Sequence, residues 1–230
     1  TLAVASVVVL GAIMSILDTT IVNIAIDSLA RDFDATLTTV QWVSTGYLLA
    51  LATVIPLTGW AADRFGTKRL YITSLVLFVA GSALCGAAWS IESLIGFRVL
   101  QGLGGGMIMP AGMTILAQAA GPARIGRVMS VVGVPMLLGP ILGPVLGGWL
   151  VDDVSWRWIF YVNVPIGAIA IALAWRILPA DKPQQDQRLD ALGLALLSPG
   201  LALFVFGLAE TSGPDGFAEP QAFLPIAAGT

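Results

Sequence analysis

Histidine is absent from this chain, cysteine occurs once, and only 11% of the 230 residues carry a charge. Without histidine, no histidine-based metal site, catalytic triad or proton relay can be built from it. Cys85 has no partner for an internal disulfide, so a buried apolar role is expected of it. No GxxxxGK[ST] run occurs, and Gly102-Leu103-Gly104-Gly105-Gly106 lies inside an apolar stretch with no preceding strand, which argues against a nucleotide site. The apolar stretches hold no paired carboxylates, no nucleophile beside a base and no metal-ligand cluster. Neither an enzyme, a metal site, an organic cofactor nor a nucleic-acid partner is therefore expected.

What the chain has in abundance is hydrocarbon: 57% of its residues are apolar. The few charges sit in short clusters, as in a membrane protein whose partner is the lipid bilayer. Apolar segments of about 20 residues, enough to cross a bilayer as a helix, recur at 2–26, 41–62, 70–89, 93–119, 127–151, 157–178 and 190–209. The reading is an all-α polytopic membrane protein. The first segment lacks a small-residue cleavage pattern after a short core and is expected to be a retained span. Absence of an initiator methionine, and an ending inside the apolar run Phe223-Leu224-Pro225-Ile226-Ala227-Ala228, suggest a fragment.

Arg64, Lys68, Arg69, Arg124, Arg127, Arg176, Lys182 and Arg188 fall on one side of this topology, against Arg31 and Arg157 on the other. The basic side is expected to be cytoplasmic, with the N-terminus inside. Acidic residues crowd the opposite loops: Asp27, Asp32 and Asp34; Glu92; Asp152 and Asp153; Glu210, Asp215 and Glu219. The ends of the second and fifth spans, Gly59-Trp60-Ala61-Ala62-Asp63 and Gly148-Trp149-Leu150-Val151-Asp152, look alike on opposite faces, as three-helix units repeated with inverted topology would. The expected organisation is a six-helix bundle over 1–178, a cytoplasmic linker over 179–189, and a further span with the start of another over 190–230.

Asp18 is the only carboxylate placed in the interior of a predicted span, where an unpaired charge costs several kcal/mol. Arg98 opens the fourth span with Gln101 three residues on, hence on the same helical face. Counted from the outer ends at about 1.5 Å per residue, Arg98 lies roughly 8 Å deep and Asp18 roughly 12 Å. An electrostatic contact between them is expected. In the fifth span Gly139, Gly143 and Gly147 form a smooth stripe for close helix approach, while Pro140 and Pro144 are expected to bend the helix. Gly102 and Gly106 permit similar packing. Between spans two and three, Gly59 to Arg69 reads as a charged, glycine-bracketed turn, and Trp156 to Pro165 as an aromatic membrane anchor opening the sixth span.

Together these motifs resemble the major facilitator superfamily, and within it the fourteen-span drug/proton antiporter branch of the QacA/EmrB type. Gly59, Asp63, Arg64, Gly66, Lys68 and Arg69 fill positions of the superfamily's loop between spans two and three, while Ala61 and Thr67 depart from it. Asp18, Thr20 and Asn23 match the first-span motif of the branch, although Asp27 stands where that motif ends in proline. Arg98, Gln101, Gly102 and Gly104 match the fourth-span motif associated with proton coupling. Gly139, Pro140, Gly143, Gly147 and Gly148 match the fifth-span antiporter motif, with Pro144 beside them, and Trp156 to Pro165 the sixth-span opening.

The resemblance implies proton-coupled efflux of lipophilic, often cationic compounds by alternating access across the cytoplasmic (inner) membrane. The proton gradient would supply the energy, with Asp18 and Arg98 in proton coupling and Thr20, Asn23 and Gln101 near the cavity. The loop from Gly59 to Arg69 would serve as a cytoplasmic gate against a missing C-terminal half. Segments 190–209 and 222 onward would be the branch's two extra central helices. A lipid, siderophore or metabolite exporter on the same fold is the competing reading, with a non-transporting membrane sensor behind it.

Overall fold

The computed structural model describes residues 2–121, 125–179, 189–210 and 220–229, and those residues are helical almost throughout, with no strand among them. Helix α1 (Leu2–Val22) runs through a 3-10 turn at Asn23–Ala25 into α2 (Ile26–Asp32). Then follow α3 (Leu37–Phe65), α4 (Thr67–Gly86), α5 (Ile91–Ala120) and α6 (Ile125–Asp153). The sixth span runs from α7 (Trp158–Tyr161) through a helical Val162 into α8 (Asn163–Ile177), and α9 (Ala191–Glu210) and α10 (Pro220–Gly229) follow.

Among the described residues six helical stretches are long and apolar enough to cross a membrane: Leu2–Asp32, Leu37–Phe65, Thr67–Gly86, Ile91–Ala120, Trp158–Ile177 and Ala191–Ala209. The predicted fifth span is occupied by α6, whose 29 residues extend about 43 Å at 1.5 Å per residue. Of the predicted linker, residues 180–188 lie outside the described residues, as do Arg124, Lys182, Arg188, Asp215 and Glu219 from the charge pattern.

Capping chemistry sets where helices begin. The Thr36 hydroxyl accepts from the Thr39 amide at 3.3 Å ahead of α3, and Ser90 with Ser93 forms a reciprocal capping box ahead of α5. Each satisfies amides that have no partner inside the helix. The connections are shorter than the hydropathy pattern suggests. Asp27 and Asp32, expected in a loop, are helical. The charged turn between spans two and three is a correction of a larger kind: α3 continues to Phe65, α4 starts at Thr67, and Gly66 alone turns the chain. Polar side chains at a helix end leave its backbone ladder intact, so loss of hydropathy there marks an interface with water and not the end of the helix. Gly66 has φ +90°, a conformation costly for any residue with a Cβ.

The helices approach one another through glycine. On α5, a Cβ at Gly102 would stand 2.5 Å from the Tyr47 carbonyl oxygen of α3, and one at Gly106 would stand 2.6 Å from that of Leu51. Gly104 faces the other way, where a Cβ would stand 2.5 Å from the Phe78 amide nitrogen of α4. The stripe on α6 meets α1, with Gly139 against Ile16, Gly143 against Thr20 and Gly147 against Ile21. This helix is continuous through Pro140 and Pro144. Span two packs on span four, and span five on span one; span three packs on span four, and span six on span one. Each pair becomes the other when spans one, two and three are exchanged for four, five and six, the neighbour pattern of two repeated three-helix units.

Helix α9 lies against α3, with Trp42 and Phe206 stacked at 6.0 Å, and α10 folds back on α9 where Gly229 meets Gly200 and Phe204. Replacing Gly102 or Gly104 by valine should destabilise the folded protein by about 1–3 kcal/mol, the usual penalty of overpacking. Gly96→Ala should be close to neutral, since nothing lies within 4 Å of its Cβ position. Thermal unfolding of the detergent-solubilised variants distinguishes these cases, and equal behaviour of all three would contradict the packing described.

Candidate functional site

Two charges lie buried in the middle of the bundle. The side chains of Arg98 and Asp18 are 1% and 0% exposed, and Arg98 Nη1 donates to Asp18 Oδ2 at 2.6 Å. Arg98 therefore does not reach for the membrane surface; it stands two turns inside α5, which begins at Ile91. An ion pair with this little water is stable only when most of its remaining donors and acceptors are also matched. Both Asp18 oxygens and the Arg98 Nε and Nη1 atoms are. Arg98 Nε donates to the Val43 carbonyl at 3.1 Å and Nη1 also reaches Gln101 Oε1 at 2.8 Å. Gln101 bridges the pair, since its Nε2 donates to Asp18 Oδ1 at 2.8 Å. Asn163 Nδ2 supplies a further donor to Oδ1 at 3.1 Å. The guanidinium lies over the Tyr47 ring at 4.0 Å from its centroid, and 5.7 Å from that of Phe160. Stacking on aromatic faces suits a cation that water does not reach.

The cluster thus joins α1, α3, α5 and the sixth span. Span four needs residues 98 and 101 on one face; the glycines at 102, 104 and 106 let α3 and α4 close in around that face. Helix α4 contributes Ser82, whose hydroxyl accepts from Asn163 at 3.1 Å and donates to the Phe160 carbonyl at 2.8 Å. It also contributes Cys85, whose thiol donates to Gln101 Oε1 at 3.6 Å. Burial of Cys85 accords with expectation, but its surroundings are polar and not simply apolar.

Other residues singled out from the sequence lie elsewhere. The Thr20 hydroxyl bonds to the backbone carbonyls of Ile16 and Leu17, at 3.1 and 3.0 Å, and faces Gly143. Asn23 is exposed in the 3-10 turn, accepting from Ser44 at 3.3 Å. Pro140 and Pro144 are exposed on α6, and nothing lies within 4 Å of a Cβ at Gly148. At the end of the bundle formed by Gly66, Lys68 reaches across to α8 and donates to the carbonyls of Trp175 (2.8 Å) and Leu178 (2.6 Å). A cation at these last carbonyls is favoured by the helix dipole as well as by the hydrogen bonds. Gly59, Asp63, Arg64 and Arg69 are exposed at the same end. A cavity of about 210 Å³ beside Lys68, lined also by Ile115, Gln118 and Leu178, is separate from the residues around Asp18.

At the opposite end Asp32 receives Trp156 Nε1 at 2.8 Å and pairs with Arg157 at 3.3 Å, while Arg157 also donates to the Ala88 carbonyl at 3.4 Å. Trp156 is only 5% exposed and so fastens helices together instead of anchoring in lipid; Trp158, 51% exposed, keeps the outward position.

Asn163, Ser82 and Tyr47 were not singled out by the sequence pattern. Asn163 had a usable signal: it is the only amide or carboxylate side chain in the apolar stretch 157–178, and a polar group at that depth needs a partner. Removing one member of the buried pair, by Asp18→Leu or Arg98→Met, should cost about 3–5 kcal/mol because the other charge is stranded. The double substitution should be less damaging than the sum of the two, which thermal unfolding of all four proteins would measure.

Comparison with known proteins adds relatives to this geometry. The family model of the Major Facilitator Superfamily matches residues 8–224. A multidrug resistance protein B homolog of Mycobacterium tuberculosis (strain ATCC 25618 / H37Rv) is 51% identical over 225 residues, covering 98% of this chain and 42% of that protein. Multidrug export protein EmrB of Haemophilus influenzae is 39% identical over 209 residues, 90% of this chain and 41% of that protein. The chain therefore spans less than half the length of these relatives. Among solved structures, a peptide transporter in complex with sulfate aligns with TM-score 0.71 at 16% identity, over 97% of this chain and 49% of that one. A D-xylose-proton symporter aligns with TM-score 0.69 at 16% identity, over 99% and 65%. At such identities the likeness is one of fold.

Proposed function

This chain belongs to the major facilitator superfamily, and on that footing we propose that the protein exports lipophilic, often cationic compounds in exchange for protons. The observation that carries the reading is the buried Asp18–Arg98 pair, hydrogen-bonded to Val43, Gln101 and Asn163 at the meeting point of four spans. Both oxygens of Asp18 accept hydrogen bonds, Oδ2 from Arg98 and Oδ1 from Gln101 and Asn163. A proton arriving there cancels one charge, weakens the attraction to Arg98 and turns an acceptor into a donor. The network then has to rearrange, which gives proton uptake a differential effect on two conformations. The names of relatives as multidrug resistance and export proteins support the cargo class.

On this reading the end bearing Arg64, Lys68, Arg69 and Arg176 faces the cytoplasm, and the membrane is the cytoplasmic one. The N-terminus is then inside. Residues 1–178 form the first half of the transporter, with 179–189 as linker and α9 and α10 as the central helices that precede a second half. Gly59, Asp63, Arg64, Gly66, Lys68 and Arg69 form a gate or latch toward that second half, and Thr20, Asn23 and Gln101 belong to the cavity side. The stripe of Gly139, Gly143, Gly147 and Gly148, with Pro140 and Pro144, lets span five rock against span one.

The test is reconstitution of the full-length protein in liposomes under an imposed pH gradient, following a panel of fluorescent lipophilic cations. Movement of a cation should follow the size and sign of the gradient and should lose that dependence in Asp18→Asn. Transport indifferent to the gradient in the unsubstituted protein would refute proton exchange.

A further inference from the structure

We propose that Asn163 is the positioning residue that sets how readily Asp18 takes up a proton and that ties this event to the first turns of the sixth span. The proposal rests on the reading of Asp18 as the proton site and deepens it. Asn163 is the first residue of α8, follows a Val162 whose backbone is itself helical, and is 1% exposed. Its Nδ2 lies 3.1 Å from Asp18 Oδ1 and 3.1 Å from Ser82 Oγ. A primary amide nitrogen carries two hydrogens, so both contacts can be made at once, and a carboxylate can only accept, which fixes which end of the amide faces Asp18.

Ser82 passes its own hydrogen to the Phe160 carbonyl in α7. Asp18, Asn163, Ser82 and Phe160 therefore form one chain of hydrogen bonds that crosses from span one to the first turns of span six and includes span three. The other groups facing Asp18 have separate tasks. Arg98 from α5 provides the countercharge and Gln101 braces the pair; Tyr47 from α3 and Cys85 from α4 are the further titratable side chains close enough to feel both charges.

Oδ2 is engaged by Arg98, and Oδ1 accepts from both Gln101 and Asn163. A proton placed on Oδ1 makes that oxygen a donor, and one of its two amide partners must withdraw. Gln101 is also held by Arg98, whereas Asn163 keeps Ser82 as a second partner when it lets go. Asn163 thus opposes protonation while it is in place and is the partner released when protonation occurs. Removing its N–H groups should ease protonation of Asp18 by about one pH unit, the usual scale for a hydrogen bond to a buried charge.

The experiment is infrared difference spectroscopy on the full-length protein in bilayers, with the carboxyl C=O band of Asp18 assigned by its loss in Asp18→Asn. The band is titrated in the unsubstituted protein, in the near-isosteric Asn163→Leu and in Asn163→Ala, with the pH profile of transport measured alongside. In either variant that folds, the midpoint should move to higher pH by about one unit, and the transport profile should move with it. An unchanged or lowered midpoint in a folded variant overturns the proposal, and lowered thermal stability without a moved midpoint does the same by reducing Asn163 to packing. Should Asp18→Asn keep the unsubstituted protein's pH dependence of transport, the reading of Asp18 as the proton site falls instead, whatever the Asn163 variants do.

Discussion

Two opposite charges kept out of water must find every hydrogen bond within the protein, and this demand on Asp18 and Arg98 organises the rest of the bundle. Neither residue can be satisfied by its own helix. The carboxylate needs donors from α5 and α8, while the guanidinium needs a backbone carbonyl and an aromatic face from α3. Helices drawn together this closely leave no space for side chains along their lines of contact. The glycines of α5 are therefore the counterpart of the ion pair: they supply the proximity to α3 and α4 that the polar centre requires.

The two ends of the bundle answer a different need. Lys68 holds the last carbonyls of α8, and Arg157 with Trp156 gathers α2, the turn after α4 and the sixth span around Asp32. These are partly exposed contacts, individually weak in water-accessible surroundings. Their importance is geometric, since they fasten helix ends while the buried cluster fastens the helices about two turns in from the end that carries Asp32. A six-helix unit pinned at three depths is suited to move as one piece.

Much of this was legible in the sequence, because the bilayer allows few solutions. Runs of about 20 apolar residues can be little other than spanning helices, and an isolated Asp18 and Arg98 at similar depth have few alternatives to each other. Glycine spacing was equally readable at positions 102, 106, 139, 143 and 147. Helix ends were not, since the last turns around Asp32, Asp63 and Arg64 are polar without being loops. Nor were the neighbours of Asp18 from other spans. Asn163 reaches it, with Ser82 behind, only after six helices have taken their relative rotations, and rotation is a property of packing that no single span encodes. Trp156 shows the same limit, because an aromatic residue at a membrane boundary has the same composition whether it turns toward lipid or toward Asp32.

The single glycine between α3 and α4 has a mechanical consequence. A flexible connection of several residues would absorb a push delivered to the end of one helix. Gly66 offers only one pair of backbone torsions with which to do so, and Lys68, two residues later, is already attached to α8. Force applied to the exposed tip of α3 is therefore conveyed to the fourth and eighth helices with almost no slack, so that this corner behaves as a stiff crank in a protein whose interior is otherwise lubricated by glycine.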